Sequence, residues 1–471
     1  MALDRIVART RERLEMRKER RPLSDLFEGL APSDRSFEGA LREGAPAFIL
    51  EVKPRSPSKG ALRSLDDLVP VIDAYRQHAA AISVLTEPEF FGGSHELLRR
   101  VRAAVSQPVL AKDFILDPYQ VAEARYHGAD AVLLMLSILD DATYAACAAM
   151  AGQLGMSVLT EVHTAHEMRR AAVLNARIIG VNNRDLVTLR VDVSTTGALA
   201  PLAPPGALVI AESGLDDRPT FERVMPFVDG ALVGSSLMQA RDVARAVRTL
   251  VYGETKICGL TRPDDAHSAH LAGATHGGVV FHAPSPRAVT DEQARAVIAA
   301  APLRWVGVFV NERLDRVADL AALLALSAVQ LHGDEGVAEI AALRTMLPTS
   351  CEVWKGMPIR DTLPETPMPG VDLTLFDGYD RVRRGGTGRV FDWNLLGSQR
   401  LQYPFGVAGG LSPHNAGLAS ELGARLLDVS SGVESSPGCK DPALVAAFLR
   451  ARSGRSRTRS AGDTRALERV A

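Results

Sequence analysis

Two charged side chains interrupt an otherwise apolar run near the start of the chain, where Phe48-Ile49-Leu50-Glu51-Val52-Lys53 reads as a strand buried on both faces. Side chains alternate along a strand, so Ile49, Glu51 and Lys53 share one face. The pattern recurs: Lys112 closes PVLAKDF, Glu161 closes SVLTEV, Asn182 closes IIGVNN, and Glu212 closes LVIAES. A buried ionised group is costly unless it is paired or used. Lysines and carboxylates gathered in one place suit proton transfer at neutral pH, their pKa values shifted by proximity and partial burial. Beside them, Ser213-Gly214 and Gly234-Ser235-Ser236 offer backbone N–H groups of the kind that hold a phosphate.

A second set lies further along. Cys258 ends the run KICGL and Asp377 ends LTLFDG, a thiol and a carboxyl that together form an acid–base pair if they face one mouth. Gly385-Gly386-Thr387-Gly388, Ala408-Gly409-Gly410 and Asp428-Val429-Ser430-Ser431-Gly432 read as phosphate cradles, and Arg287 is suited to a bidentate carboxylate contact.

The elements that must position these groups are legible as a rhythm. Short apolar runs without polar alternation (AFILEVKP, AAISVLTE, PVLAKDFI, AVLLMLSI, SVLTEVH, IIGVNNRD, LVIAESG, GALVGSS) alternate with helical segments, and from Thr255 the rhythm restarts with TKICGL, GGVVF, RWVGVFV, AVQLH, CEVWKGM, LTLFDG, PFGVAGGL and ARLLDVSSG. Parallel strands covered by helices, eight per cycle, predict an α/β protein of two tandem (β/α)8 TIM barrels. In that fold, polar residues at the C-terminal strand ends converge on one rim, which accounts for charge in a core strand. The expected boundaries are 1–253 for the first barrel with an N-terminal helical extension, 254–450 for the second, and 451–471 for a disordered Arg-rich tail. In the N-terminal helix, Leu3, Ile6, Val7 and Leu14 should form the apolar side.

Composition removes other classes. A chain of 471 residues with 46% apolar and 23% charged residues can bury sizeable cores, and a net charge of −2 gives no field for gripping nucleic acid or an anionic membrane. No apolar run approaches the ~20 residues of a bilayer span, and no secretory or transit signal is legible. The four cysteines are scattered and form no metal-ligand cluster. The expectation is a cytoplasmic, metal-free and cofactor-free enzyme acting as a single copy on small phosphorylated substrates, with no nucleic-acid or membrane partner.

The motifs FILEVKPRSPSKG, SVLTEPEFFGGS, LAKDFILDPYQ, LTEVH, GVNNRDL, AESG and LVGSSLM resemble those of indole-3-glycerol phosphate synthase, in order, over nearly all of the first 253 residues. That family closes the pyrrole ring of indole with loss of CO2 and water, without a cofactor. Carried over, the resemblance implies Lys112 as general acid at the ketose oxygen and Lys53 as the group that holds the departing carboxylate and can donate a proton in dehydration. Glu161 and Glu51 become candidate bases, Asn182 and Arg184 orient the substrate, and Glu212 orders the lysines. Phe91 and Phe114 flank the aromatic ring, while Ser56, Ser213, Gly214, Gly234 and Ser235 hold phosphate or hydroxyls. Which lysine protonates in which step stays open.

From residue 255 to about 450, KICGLTRPDDA, VGVFVN, AVQLHG, GGTGRVFDW, AGGL and DVSSGVESSPG resemble phosphoribosylanthranilate isomerase. That resemblance implies an Amadori rearrangement with Asp377 as acid at the furanose oxygen, Cys258 as thiolate base at C2 and Arg287 on the anthranilate carboxylate. Phosphate would lie on Gly386, Gly388, Gly409, Gly410, Ser430, Ser431 and Gly432. The product of the second half is the substrate of the first, as in the bifunctional enzymes of tryptophan biosynthesis. Two rival readings are another phosphate-binding isomerase barrel, disfavoured because those use paired aspartates, and a degenerate barrel kept as a scaffold.

Overall fold

The computed structural model describes residues 2–43, 46–57, 59–378, 391–398 and 401–454. The chain divides into two compact units, one ending at Val247 and the other spanning Arg248–Gly454, a division inside the helix Val243–Tyr252.

The first unit is a closed barrel of β1 (Ala47–Val52), β2 (Ala81–Leu85), β3 (Val109–Lys112), β4 (Ala131–Met135), β5 (Ser157–Val162), β6 (Ile178–Asn182), β7 (Leu208–Glu212) and β8 (Gly230–Val233). Every strand pairs in parallel with its neighbours in sequence, and β1 closes the ring against β8. The strands read as continuous apolar runs because helices cover their outer faces. Crossover helices begin at side-chain caps, where Asp117, Asp140, Thr164 and Asp217 accept from backbone N–H groups of the first turn. Ile49, Leu110, Leu133, Leu159, Ile178, Ile210 and Leu232 fill the interior, and Phe37 and Leu41 of the helix Phe37–Glu43 pack on the same cluster. Each of these strands then places its next inward residue, two further along, at the mouth.

The N-terminal helix Ala2–Arg20 buries Ile6, Thr10 and Leu14, with Leu3 and Val7 half-buried. It is strapped to its own barrel by charge: Arg13 Nη1 lies 2.7 Å from Glu87, Arg17 Nη1 2.8 Å from Glu123 and Lys18 Nζ 2.8 Å from Asp117.

The second unit repeats the plan with β9 (Glu254–Cys258), β10 (His276–Val280), β11 (Arg304–Phe309), β12 (Ala328–Leu331), β13 (Glu352–Ile359), β14 (Leu373–Gly378), β15 (Phe405–Val407) and β16 (Leu426–Val429), closed by β9 against β16. Val306, Ala328, Trp354, Leu373, Leu375 and Leu426 form its interior layer. The C-terminal helix extends to Ser453, past the expected start of the tail, because Arg452 is buried and donates from Nε to the Tyr252 carbonyl at 2.7 Å. Residues 455–471 of the tail, like Gly385 to Gly388, lie outside the described residues.

Candidate active sites

Glu51, Lys53, Lys112 and Glu212 form one connected cluster at the mouth of the first barrel. Lys53 Nζ sits 2.6 Å from Glu51 Oε1, and Lys112 Nζ lies 3.3 Å from Glu51 Oε2 and 2.9 Å from Glu212 Oε2. Glu161 acts electrostatically on Lys112 and Glu212. Burial works against ionising Glu51, but the two ammonium groups outweigh it and hold the carboxylate down at about 2. For Lys112 the three carboxylates outweigh burial and raise the ammonium, which stays charged. Three acids face two lysines, so one negative charge is in surplus. Glu212, with no exposure to solvent, takes the burden: burial, Glu161 and Glu51 push it up to about 7 despite Lys112.

Glycines make the room. A Cβ at Gly180 would lie 2.0 Å from Glu212 Oε1, and one at Gly234 would lie 2.4 Å from Glu51 Oε1. Asn182 pairs in register with Glu212, and its Oδ1 accepts from the Arg184 backbone N–H. The Arg184 side chain reaches the Leu189 carbonyl at 3.0 Å. Ser213 adopts a left-handed φ of 64° and Gly214 one of 74°, turning the chain as it leaves β7. Ser235 begins a short helix after Gly234, and Ser56, buried in a hairpin after β1, accepts from the Lys59 N–H. Phe91 and Phe114 face each other with ring centroids 5.9 Å apart, and Glu87 caps the turn carrying Phe91 by accepting from three backbone N–H groups.

His163, absent from the sequence reading, flanks this mouth with Nε2 3.4 Å from Glu161 and Nδ1 3.5 Å from Glu167. Burial lowers its imidazole, and Glu167 and Glu161 more than reverse that. Its position two residues beyond Glu161 was the available signal.

In the second barrel, Cys258 and Asp377 line one open cleft, together with Arg287, Gln330, His332 and the turns at Gly409-Gly410 and Ser430-Ser431. Asp377 Oδ2 lies 3.4 Å from His332 Nε2, and its buried Oδ1 has no hydrogen-bond partner among the described residues. Arg287 makes the bidentate carboxylate contact expected of it, but to Glu434 of its own chain, at 2.8 and 2.7 Å. Lys440 Nζ holds Glu434 from the other side at 2.7 Å. Gly409 and Gly410 both adopt positive φ, and a Cβ at Gly432 would lie 1.9 Å from the Leu411 carbonyl oxygen, so these turns require glycine. Gly386 and Gly388 lie outside the described residues. Lys256, Gln330, His332 and Lys440 were not singled out as site residues in the sequence, and Asp428 was read only as part of a phosphate cradle. Lys256 carries the signal that exposed Glu51 and Lys53, a charge two residues from another polar group within an apolar strand.

Among the described residues, His95, Glu123 and His127 place donor atoms within 4.8 Å of one another, as a metal site would require. Their surroundings oppose a cation. The two imidazoles stack at 4.4 Å and 9°, so their ring planes run parallel instead of converging, and Arg17 already holds Glu123. Burial, reinforced by Arg17 and Arg99, brings His95 down to about 4, and burial with His95, Arg99, Arg21 and Arg17 brings His127 to about 3.

The indole-3-glycerol phosphate synthase family model matches residues 3–250, and the N-(5'phosphoribosyl)anthranilate isomerase model matches residues 255–451. A tryptophan biosynthesis protein TrpCF from Vibrio cholerae serotype O1 is 48% identical over 428 residues, covering 91% of each chain. The chain belongs to the bifunctional indole-3-glycerol phosphate synthase and phosphoribosylanthranilate isomerase family. Similar proteins of the same name from Yersinia pestis (46% identical, 92% of this chain and 90% of that one) and Salmonella typhi (45%, 95% and 98%) match across both barrels. The isomerase half converts N-(5-phosphoribosyl)anthranilate into 1-(2-carboxyphenylamino)-1-deoxyribulose 5-phosphate, and the synthase half decarboxylates and cyclises that product to indole-3-glycerol phosphate. No helix among the described residues is long and apolar enough to cross a membrane.

Proposed function

We propose that each half works through the polar residues at its own barrel mouth. In the isomerase half, Asp377 protonates the furanose ring oxygen as the C1–O bond breaks, leaving an iminium. The Cys258 thiolate removes the C2 proton to give an enolamine, which tautomerises to the aminoketose. Arg287 receives the anthranilate carboxylate, exchanging with or sharing Glu434, and the backbone at Gly409, Gly410, Ser430, Ser431 and Gly432, with the loop at Gly386 and Gly388, holds the phosphate.

In the synthase half, Lys112 donates to the ketose oxygen while the ring carbon bearing the carboxylate attacks the carbonyl carbon. Lys53 holds that carboxylate until CO2 leaves and can donate a proton as water departs. Glu161 or Glu51 takes the proton lost from the former C1 methylene as water departs and the pyrrole ring becomes aromatic, and Glu212 keeps Lys112 charged and aimed. Asn182 and Arg184 orient the substrate, Phe91 and Phe114 flank its ring, and Ser56, Ser213, Gly214, Gly234 and Ser235 bind its phosphate and hydroxyls.

The observation that carries the reading is the pair of mouths themselves: Lys112 bridges Glu51 and Glu212 in one, and Cys258 shares a cleft with Asp377 in the other. The proposal extends to a single-copy enzyme of the cytoplasm with boundaries near Gly253 and residue 450. Supplying phosphoribosylanthranilate and following aminoketose, then indole-glycerol phosphate, tests it. Lys112→Ala should accumulate the aminoketose with isomerisation intact, whereas Cys258→Ala should stop isomerisation and still turn over added aminoketose. Loss of both activities in either variant would contradict separate sites.

A further inference from the structure

Beneath the isomerase cleft lies a charge for which the reaction above has no use. Lys256 has no solvent exposure, and its Nζ donates to Asp428 Oδ2 at 2.7 Å and Gln330 Oε1 at 2.8 Å. Those partners come from β16 and β12, so the ammonium is fixed from two sides of the barrel. An ammonium has three donors, and two are thus accounted for. Lys256 and Cys258 stand two apart on β9 and share its inward face. On the neighbouring strand β10, Gly278 lies in register with Cys258, and a Cβ there would lie 2.7 Å from Lys256 Cε and 3.1 Å from Cys258 Sγ. The absence of a side chain there leaves the lysine and the sulfur side by side.

Proton removal by sulfur requires the thiolate, and a buried thiolate needs a nearby cation. We propose that Lys256, held by Asp428 and Gln330, is a positioning residue that stabilises the Cys258 thiolate without touching substrate. The proposal rests on the reading of Cys258 as the base. Burial raises the Cys258 thiol, and of the surrounding charges Lys256 opposes this most strongly, Lys440 less, while Asp428 reinforces it. Arg287 also feels the charge of Cys258. Lys440 already donates to Glu434, the Ser430 carbonyl and the Ser430 hydroxyl, and Arg287 is paired with Glu434, whereas Lys256 keeps a third donor beyond those on Asp428 and Gln330 and stands beside the sulfur.

The test uses full-length protein and measures, between pH 6 and 10, the rate of iodoacetamide labelling at Cys258 by peptide mass spectrometry beside the isomerase kcat profile. Lys256→Met should move the labelling profile upward by at least about one pH unit and lower kcat at pH 7 by tenfold or more, with partial recovery at alkaline pH and KM changed far less. Gly278→Ala, which wedges a methyl between lysine and sulfur while keeping both, should shift the labelling profile in the same direction, and it serves if the first variant does not fold, as judged by circular dichroism and by the calorimetric transition of the isomerase unit. An unmoved labelling profile in a folded variant would overturn the proposal. A shifted profile with isomerase kcat unchanged would instead sink Cys258 as the base, as would normal turnover in Cys258→Ala.

Discussion

Gly180 and Glu212 occupy adjacent strands of the synthase barrel so closely that a methyl group on residue 180 would sit 2.0 Å from Glu212 Oε1. The glycine is therefore a condition for the position of the carboxylate. Gly180→Ala must push Glu212 off Lys112, and because the displaced carboxylate is fully buried, the loss should be large. We expect synthase kcat to fall by about 100-fold or more and isomerase turnover to be unaltered, checked by assaying the two steps separately. Normal synthase turnover in that variant would mean the Lys112–Glu212 contact is dispensable.

The pH dependence of stability should carry the signature of the surplus carboxylate. Glu212 is raised from its ordinary 4.5 to about 7, so between those values the folded chain keeps a proton that the unfolded chain has released. Its stabilising contribution is complete below about pH 4.5 and disappears as pH rises through about 7. Glu212→Gln removes the titration, and the Tm of this variant relative to the parent should climb between pH 5.5 and 8.5 in differential scanning calorimetry. A constant difference across that range would contradict the assignment.

Both the fold and its polar mouths were legible for one physical reason. Strands buried on both faces have no polar alternation to obscure them, so each of the apolar runs marks a strand, and any charge inside a run stands out, as with Glu51, Lys112 and Asp377. The groups that escaped notice are those whose role depends on a distant neighbour. His163 and His332 follow their strands in ordinary polar contexts, Gln330 is an uncharged amide within β12, and only the closed ring brings His332 to Asp377 or Gln330 to Lys256. Arg287 was legible as a carboxylate binder, but its intramolecular partner Glu434 lies 147 residues away. Arg452 read as part of a solvated tail because nothing in RARSGRS signals that one guanidinium turns back onto Tyr252.

Arg287→Met should act on binding. A charge-assisted bidentate contact is worth about 2–3 kcal/mol, so the KM for phosphoribosylanthranilate should rise by roughly 30- to 150-fold with kcat within about threefold. Steady-state kinetics decide the matter, and an unchanged KM would leave Arg287 with only its structural pairing to Glu434.

Core truncation should separate the halves energetically. Phe448 is fully buried in the helix Pro442–Ser453 against the isomerase core, so Phe448→Ala should cost about 3–5 kcal/mol in that unit alone. Calorimetry should show one transition lowered, and isomerase activity should be lost on heating while synthase activity persists.

The ion pairs along the helix Ala2–Arg20 bear on how this chain can be cut. Arg13 neutralises Glu87, a residue 1% exposed whose carboxylate anchors the turn that presents Phe91. Trimming the chain back to Pro22 would strand that anion without a counter-charge and loosen the aromatic wall some eighty residues downstream. An expression fragment designed around the barrel strands alone would keep the mouth cluster and still lose support for the Phe91–Phe114 pair proposed to flank the substrate ring.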